Sequence, residues 1–315
     1  MIRTLTLSPA LDIGADIARM RPFSKLRSGP ARHEPGGGGI NAARAIHRVG
    51  GEVCAVFPAD AATGERLLTL LAGEDVPAVR VPADTPVRES LSLWVREQQE
   101  TYHVVTPGGD LDPVAAQACV GALLESSAPV EWVVLSGSLP PGVETDYYGR
   151  VARAAGERGV RVVLDTHGEA LVAALRSPVF AIKPNLREFG ELVGERLVAE
   201  DRAGIERAAR TLMARAPLEV LLLTLGPHGA MVTTSDRCHW LRAPTVRTVS
   251  AVGCGDSFLG VFTQAVASGR TPVDAARLGI AAGASAACTP GSALFVADDL
   301  ERLEGEALTE PRVPT

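Results

Sequence analysis

The chain has 315 residues, of which 46% are hydrophobic, a formal net charge of −6 and an isoelectric point of about 5.6. This length and apolar content suit one large α/β domain, and the acidic balance argues against nucleic acid or an anionic membrane as a partner. The chain contains no run of 18 apolar residues, and its start does not show the pattern of a secretory signal. Five cysteines without a C-x-x-C pair indicate reduced thiols and a cytoplasmic location.

Short apolar runs that alternate with helical patterns predict a mostly parallel sheet. The first strand is expected at Met1–Leu7. Further buried strands are predicted at Trp132–Leu135, Val160–Leu164, Phe180–Ile182 and Val220–Leu223. Helices are predicted at 112–126, 145–157, 186–193 and 203–214. Strands and helices in this order are typical of a sheet covered on both faces, whose ligands bind beyond the carboxyl ends of the strands.

Two segments depart from this order and predict a small antiparallel lid. Residues 12–33 are polar, and residues 87–106 have the pattern of a hairpin in which Leu91, Leu93 and Val95 share one face. A lone hairpin is only marginally stable in water, so it needs the main domain or a second subunit. We therefore predict a β lid at 12–33 and 85–106, a main domain at 1–11, 34–84 and 107–307, and a loose tail at 308–315.

The first segment that indicates chemistry is Pro35–Asn41, where four consecutive glycines precede a helix predicted at 42–49. Four glycines cost more backbone entropy than a turn requires, which favours close approach of the backbone to a ligand over a mobile loop. The segment also matches G-x-G-x-x-A, with Asp60 at a suitable distance, so a dinucleotide oxidoreductase is an alternative. The poor strand that precedes the match argues against it.

Three polar segments follow predicted strands. The loop Gly137–Gly142 offers the hydroxyl and backbone N–H of Ser138, or it is a rigid connector. Asn185 and Glu188 form either a helix-capping box or a water-mediated magnesium site beside nucleotide phosphates. The segment 224–230 contains two glycines and predicts a tight turn, which would suit a bound nucleotide. No P-loop pattern and no zinc-binding spacing is present.

The segment 250–258 is the most informative in the chain. Gly253, Cys254, Gly255 and Asp256 lead into a run of apolar and small residues that predicts a buried helix. A glycine-rich turn at a helix start presents unpaired N–H groups and is suited to an anion. Asp256 is then either a general base for phosphoryl transfer or an acidic residue stabilised by the helix dipole. The scattered histidines are interpreted as structural or solvated, namely His103, His167, His228 and His239.

Taken in chain order, these segments resemble the ribokinase-like (PfkB) carbohydrate kinases. The likeness rests on the early glycines with Asn41, the Gly-Ser-Leu-Pro loop, Lys-Pro-Asn-x-x-Glu at 183–188 and Gly-x-Gly-Asp at 253–256, and it covers residues 2 to about 299. Residues 6–12 and 165–171 are similar to signatures of the phosphosugar kinase branch. The expected fold is therefore α/β and ribokinase-like, with a mostly parallel central sheet, helices on both faces and a small β lid.

Within that branch the chain is most similar to the minor 6-phosphofructokinases of bacteria, which share its four consecutive glycines. The fructose-1-phosphate and tagatose-6-phosphate kinases usually have lysine at the position of Gly38. Two departures stand out, because the branch usually has threonine at the position of Ala251 and alanine at that of Cys254.

The resemblance implies transfer of the ATP γ-phosphate to a phosphorylated ketohexose, with fructose 6-phosphate as the expected acceptor. Tagatose 6-phosphate kinase and 1-phosphofructokinase remain alternatives, as does a non-catalytic sugar-phosphate sensor. The resemblance assigns catalysis to Asp256 as base, with Gly253, Cys254 and Gly255 as anion hole. It assigns substrate binding to Asp12, Arg27, Gly37, Gly38, Gly39, Asn41, Arg88 and Ser138.

The same resemblance implies ATP, magnesium and a potassium-like cation. The nucleotide is assigned to Lys183, Asn185, Glu188, Thr224, Gly226 and Gly229, with magnesium held through water by Asn185 and Glu188. The monovalent cation is assigned to backbone near Ser250, Val252, Ala286 and Gly291. Lys25 is the expected contact of a second, regulatory ATP, and the protein is expected to form a homodimer through its lids.

Overall fold

A computed structural model describes residues 1–235, 237–291 and 293–307 and contains two β-sheets. The strands are β1 (Ile2–Leu5), β2 (Ala10–Ile17), β3 (Arg32–Gly36), β4 (Val53–Ala59), β5 (Ala78–Pro82), β6 (Arg88–Val95), β7 (Glu100–Val105), β8 (Trp132–Ser136), β9 (Arg161–Asp165), β10 (Val179–Ile182), β11 (Leu218–Thr224), β12 (Ala230–Thr233) and β13 (Cys238–Leu241). The helices are α1 (Gly38–Arg48), α2 (Ala61–Ala72), α3 (Pro113–Leu124), α4 (Tyr147–Gly156), α5 (Gly168–Ala174), α6 (Leu186–Val193), α7 (Arg202–Arg215), α8 (Cys254–Ala267), α9 (Pro272–Ala287) and α10 (Leu300–Glu306).

The larger sheet has nine strands in the order β13-β12-β11-β10-β9-β8-β1-β4-β5. All neighbouring pairs from β11 to β5 are parallel, and β12 and β13 add an antiparallel edge. Helices α3, α4, α5 and α7 pack against one face of this sheet and form one hydrophobic core layer with it. Helices α1, α2, α8 and α9 pack against the other face and form a second layer. This is the predicted doubly covered sheet, and the predicted fold class is confirmed.

Local sequence signals account for most of the helix starts. Asp60, Asp112, Asp201 and Thr271 each accept a backbone N–H of the first turn of the helix that follows. Proline lies in the first turn of α3 and α9, where its missing N–H has no intrahelical partner to lose. The four helices predicted after residue 110 are therefore observed within three residues of their predicted ends.

The glycine segment differs from the prediction, because α1 begins at Gly38 and not at residue 42. Gly39 thus belongs to the first helical turn, where a Cβ would overlap the carbonyl oxygen of Leu5 at the end of β1. The hydroxyl of Thr6 accepts the backbone N–H of Ile40 at 2.7 Å and holds the helix against that strand. At Gly39, contact with the protein's own backbone is sufficient to require glycine, and the predicted substrate contact there stays a prediction.

The smaller sheet has the order β3-β2-β6-β7 and forms the lid. β2 pairs with β3 and β6 pairs with β7 in antiparallel orientation, but β2 and β6 are parallel over eight residue pairs. The prediction of a wholly antiparallel lid is therefore wrong. The parallel pair arises because the chain leaves the lid after β3, passes through α1, β4, α2 and β5 of the main domain, and returns at β6.

None of the helices in the described ranges is long and apolar enough to cross a bilayer. The tail predicted at 308–315 lies outside the described residues.

Candidate active site

A cavity of about 340 Å³ opens between the lid and the carboxyl ends of the central strands. Its walls come from β2, β6 and β7 of the lid, the start of α1, the segments after β8, β9 and β10, and the start of α8. Twelve of the predicted site residues line it: Asp12, Gly37, Gly38, Asn41, Arg88, Ser138, Lys183, Asn185, Glu188, Val252, Gly255 and Asp256. Residues far apart in the sequence thus meet in one site.

Asp256 lies in the first turn of α8, whose N-cap, Gly253, has φ 76°. A Cβ at Gly253 would approach the side chain of Leu294 to 2.9 Å, so both the conformation and the space favour glycine. The first N–H groups of an α-helix have no intrahelical acceptor, and the helix dipole adds positive potential there. The start of α8 is therefore suited to bind an anion next to the Asp256 carboxylate.

The carboxylate of Asp256 is partly buried and accepts a 2.9 Å hydrogen bond from the side-chain amide of Asn41. Burial raises its pKa to about 6, and the negative charges of Asp165 and Asp12 act in the same direction. The Asn41 hydrogen bond and the Lys183 ammonium lower it. A carboxyl group with this pKa is ionised at neutral pH and basic enough to accept a proton.

A partly buried ion pair also lines the cavity with Asp256. The ammonium of Lys183 is 3.1 Å from the carboxylate of Asp165, and a Cβ at Gly255 would be 3.2 Å from that ammonium. Burial lowers the pKa of Lys183, but Asp165, Asp256 and Glu188 raise it more, so the side chain stays charged. Burial raises the pKa of Asp165 and Lys183 lowers it. Lys183 thus carries a positive charge to the edge of the anion-binding turn.

Asn185 and Glu188 form a complete capping box at the start of α6. The Asn185 side chain accepts the Glu188 N–H at 2.9 Å, and the Glu188 carboxylate accepts the Asn185 N–H at 3.0 Å. The second Glu188 oxygen lies 3.7 Å from Arg187 and is not part of the box. Glu188 lines the cavity, and its carboxylate oxygen outside the capping box suits Mg²⁺, which prefers one or two carboxylates, water and substrate phosphates. No cluster of three or more His, Cys, Asp or Glu metal ligands occurs in the described ranges.

The other predicted nucleotide residues lie outside the walls of this cavity. Thr224 forms an isolated parallel bridge with Asn185, and its hydroxyl donates to the Pro184 carbonyl at 3.4 Å. Gly226 begins a 3-10 turn with φ 57°, and open space surrounds its Cα. At Gly229, φ is 99° and a Cβ would overlap the Leu241 carbonyl, so protein packing alone requires this glycine.

The four residues predicted to bind a monovalent cation lie in two neighbouring segments. The Ser250 hydroxyl donates to the Gly291 carbonyl at 3.3 Å and accepts the Val252 N–H at 3.1 Å. The Ala286 carbonyl accepts the hydroxyl of Thr289 at 2.8 Å. The carbonyl of Ser250 accepts the Cys254 thiol at 3.8 Å, and burial raises the pKa of that thiol to about 11. Cys254 therefore enters the anion-binding turn as an unreactive thiol.

Lys25 and Arg27 line a different cavity, of about 250 Å³, within the loop that follows β2. Arg19 and Arg21 lie in the same wall, so this cavity is strongly basic. Within one chain, Arg27 and Arg88 therefore do not share a cavity, although the sequence interpretation grouped them around one phosphate.

Three titratable residues of the cavity were not predicted as site residues. Asp165 belongs to a segment that is similar to a phosphosugar kinase signature, whereas His103 and His167 were interpreted as structural or solvated; all three line the main cavity. The ring of His103 is 3.3 Å and 2.9 Å from the hydroxyls of Ser90 and Ser92. The sequence contains a pattern that could have identified His103 as a cavity residue. Ser90 and Ser92 alternate with Leu91 and Leu93 and therefore face the opposite side of the lid, where His103 contacts them.

The chain matches the model of the pfkB family carbohydrate kinase over residues 16–298. It is 39% identical over 301 residues to ATP-dependent 6-phosphofructokinase isozyme 2 of Mycobacterium tuberculosis, covering 96% of this chain and 88% of that protein. It is 37% identical over 303 residues to the isozyme 2 of Escherichia coli K12, covering 96% and 97%.

Phosphofructokinase-2 from Escherichia coli, solved in complex with fructose-6-phosphate, superposes with a TM-score of 0.89 at 36% identity and covers 97% of this chain and 98% of that chain. The same relative has been solved in complex with potassium and in a tetrameric inhibited form. These matches span nearly the whole of both chains.

Asp256 should titrate at an unusually high pH for a carboxyl group. We expect a midpoint near pH 6 in the ¹³C NMR signal of its carboxyl carbon, which Asp256→Asn identifies by removing it. Asn41→Ala should move the midpoint upward, because it deletes a hydrogen bond that favours the ionised form. A midpoint near the ordinary aspartate value of about 3.9 would contradict this account of the site.

Proposed function

The chain belongs to the pfkB family of carbohydrate kinases, and we propose that it is an ATP-dependent 6-phosphofructokinase that converts fructose 6-phosphate to fructose 1,6-bisphosphate. The observation that carries this proposal is the arrangement of one cavity. It joins the partly buried Asp256 at a helix start with Arg88 and Ser138, which suit a phosphate group. Relatives that are 37–39% identical over nearly full length and named for this activity support it.

Asp256 accepts the proton of the C1 hydroxyl as that oxygen attacks the γ-phosphorus of ATP. The new bond joins the sugar oxygen to phosphorus, the bond between the γ-phosphorus and the bridging oxygen breaks, and ADP leaves with the electron pair. The N–H groups of Gly253, Cys254 and Gly255 hold the transferring group, and Lys183 supplies positive charge beside Gly255. Such positioning and charge stabilisation are the main requirements of phosphoryl transfer.

ATP binds along the segments that follow β10 and β11. Lys183, Asn185 and Glu188 face its phosphates, and Thr224 and Gly226 border the rest of the nucleotide, where Gly226 leaves open space. The Glu188 oxygen outside the capping box and the Asn185 amide would hold magnesium through water, and this ion, when bound, would neutralise charge on the phosphates. These residues and Asp256 line the same cavity.

A monovalent cation binds beside the anion-binding turn. Ser250, Val252, Ala286 and Gly291 provide backbone carbonyl oxygens in two segments joined by the Ser250–Gly291 hydrogen bond of 3.3 Å. Oxygen donors of this type suit a hard cation, and the Escherichia coli relative has been solved with potassium. Ala251 replaces the usual threonine inside this segment, so the carbonyl groups carry the binding without a side-chain hydroxyl.

The substrate's own phosphate binds to Arg88 and Ser138, with Arg27 contributed by a second subunit. Arg88 is half-buried at the start of β6, and its Nε donates to the Ser8 carbonyl at 3.4 Å, which leaves the end of the guanidinium to face the cavity. Asp12, Gly37, Gly38 and Asn41 line the adjoining wall, where they contact the sugar hydroxyls. Ordering of the phosphate at one end orients the C1 hydroxyl toward Asp256.

Arg88→Ala should raise the KM for the phosphosugar and leave the KM for ATP unchanged. Loss of a charge-assisted hydrogen bond, roughly 1.5–3 kcal/mol, predicts a fall in kcat/KM of about 10–150-fold. Steady-state kinetics with each substrate varied in turn measures the effect. Arg158→Ala, at an exposed position of the main domain, is the matched control. An equal rise in both KM values, or none, would count against the assignment.

The space around Gly38 favours fructose 6-phosphate over the alternatives. A Cβ at Gly38 would meet the hydroxyl of Ser136 at the end of β8, so the lysine that is usual in the fructose-1-phosphate and tagatose-6-phosphate kinases would require that hydroxyl to move. Without that ammonium, the glycine turn adds no positive charge near the sugar. Phosphate recognition then depends on the arginines at the opposite end of the substrate.

We expect faster turnover of fructose 6-phosphate than of tagatose 6-phosphate or fructose 1-phosphate at equal subsaturating concentrations. A coupled ADP-release assay on the purified protein measures the ratio of the turnover rates with these substrates. In the same assay, Asp256→Asn should reduce turnover by about 10²–10⁴-fold, because it removes the general base. A reversed ratio would favour the other kinases. Binding of a phosphosugar without any turnover would favour the non-catalytic sensor.

Lys25 contacts a second, regulatory ATP in the basic cavity of the β2–β3 loop. Arg19, Arg21 and Arg27 share that cavity and provide positive charge for phosphates. Because the cavity is separate from the Asp256 site within one chain, nucleotide bound there acts on catalysis through the lid.

The five cysteines are free thiols, which agrees with the proposed cytoplasmic location.

The protein is a homodimer joined through the outer faces of its lids. Leu91 pairs with Val104, and Leu93 pairs with Tyr102, on the face opposite the cavity. Val104 is 54% exposed and Tyr102 is 39% exposed. A sheet of four strands with an apolar outer face needs a cover in water, and a second lid provides one with the same pattern. The Escherichia coli relative also assembles, since it has a tetrameric form.

Leu93→Glu should yield monomers that bind the phosphosugar weakly, because a charge on the lid face opposes its burial. Light scattering measures the mass, and calorimetry measures binding. Val114→Glu adds the same charge at a 79% exposed position of α3 and should leave both unchanged. A fully active wild-type monomer at micromolar concentration would refute the lid interface.

A further inference from the structure

Arg44 is a buried cation that the proposed mechanism does not use. It lies in the middle of α1 and is only 2% exposed, yet it does not line the catalytic cavity. A buried guanidinium is costly unless ionic and hydrogen-bonding partners compensate it. The hydrogen-bonding partners of Arg44 therefore indicate the role of its guanidinium group.

One side of the guanidinium is anchored by a carboxylate. Its Nε and one terminal nitrogen donate to the two oxygens of Glu74 at 2.8 and 2.6 Å. The remaining nitrogen donates to the carbonyl of Pro35 at 3.0 Å and to the side-chain oxygen of Asn41 at 3.1 Å. Two fixed acceptors thus hold the guanidinium plane, and the third contact extends to a residue in the catalytic cavity.

That contact determines the orientation of the Asn41 amide. With its oxygen bonded to Arg44, the amide directs its NH₂ group toward Asp256, and the donor–acceptor distance is 2.9 Å. A rotated amide would place NH₂ against the guanidinium and oxygen against the Asp256 carboxylate, replacing two hydrogen bonds with two repulsions. Arg44 therefore favours one of two amide orientations of nearly equal shape.

We propose that Arg44, held by Glu74 and the Pro35 carbonyl, is a positioning residue that fixes the Asn41 amide as a hydrogen-bond donor to the general base Asp256. The inference rests on the proposed function only in that Asp256 is the base. It adds a path to the reacting atoms from the turn after α2, where the half-buried Glu74 lies. The path runs through Glu74, Arg44, Asn41 and Asp256, each linked to the next by side-chain hydrogen bonds of 2.6–3.1 Å.

The charge environment predicts what happens when this donor is lost. The charged and titratable groups that line the cavity with Asp256 are Asp12, Arg88, His103, Asp165, His167, Lys183 and Glu188. Burial, Asp165 and Asp12 raise the pKa of Asp256, and Asn41 and Lys183 lower it. A misoriented amide would leave Lys183 as the main stabilising group, so Asp256 would stay protonated to a higher pH.

The test compares Arg44→Met with wild type through the pH dependence of kcat/KM, which reports groups of the free enzyme. We expect the acidic limb to move up by about one pH unit, the size of a partly lost charge-assisted hydrogen bond. The loss of activity should be greater at pH 6 than at pH 9. Arg44→Lys keeps a hydrogen-bond donor and a positive charge, so its acidic limb should lie between those of wild type and Arg44→Met.

Arg48→Met is the matched control. Arg48 lies one turn further along α1 and is 3.7 Å from the same Glu74, but its hydrogen bonds go to the carbonyls of Ala293 and Phe295. Its removal should leave the acidic limb in place. Combining Arg44→Met with Asn41→Ala should shift the limb no further than Asn41→Ala alone, because Arg44 acts through the amide.

An unchanged kinetic limb in Arg44→Met together with an unchanged ¹³C titration of Asp256, or a further shift in the double variant, would overturn the positioning by Arg44. If Arg44→Met does not fold, as shown by circular dichroism, Arg44→Lys and Glu74→Gln provide the same comparison. The ¹³C titration of the Asp256 carboxyl in the absence of substrate distinguishes failure of the positioning by Arg44 from failure of Asp256 as the general base. An upward shift there without a kinetic shift supports the positioning by Arg44 and overturns Asp256 as the base, whereas no shift in either overturns the positioning.

Discussion

The hydrogen bond between Asn41 and Asp256 joins the starts of two helices, and the organisation of the site depends on it. Asn41 lies in the first turn of α1, and Asp256 lies in the first turn of α8. These helices can approach closely because a Cβ at Gly260 would overlap the carbonyl of Ala42. The close packing brings two positive helix ends to one point, where an anionic group in transfer is stabilised without rearrangement.

The cavity also holds more carboxylates than a site for anionic substrates needs. Asp165 and Asp256 are partly buried, and Lys183 is a buried cation 3.1 Å from Asp165. Burial and the neighbouring carboxylates raise the pKa of Asp256 into the range useful for a base, and the carboxylates keep Lys183 protonated. The same charges that would repel a substrate phosphate therefore set the protonation states of the site, and Arg88 is the cation that we propose compensates them at the substrate's phosphate.

The sequence predicts what local patterns determine. Continuous apolar runs identified the central strands, and capping residues such as Asp112 and Asn185 marked helix starts that the structure confirms. The lid pairing was not predictable in this way, because β2 and β6 become neighbours only after the chain has passed through the main domain. The start of the helix at Gly38 was not predictable for a related reason, since the atoms that exclude a Cβ at Gly39 belong to Leu5 and Thr6, far earlier in the chain.

Connections between the lid and the site follow from this topology. β2 leaves the end of β1 after a short turn and carries Asp12, and β6 carries Arg88 at its first residue, so both lid strands begin at the catalytic cavity. Because side chains alternate along a strand, Ser90 faces the catalytic cavity, and Leu91 and Leu93 of the same strand present apolar side chains that face outward. The period of two therefore gives one sheet a polar inner face toward the cavity and an apolar outer face. In the homodimer that we propose, any displacement that separates the two lids also moves Asp12 and Arg88, so substrate enclosure and subunit association are mechanically linked.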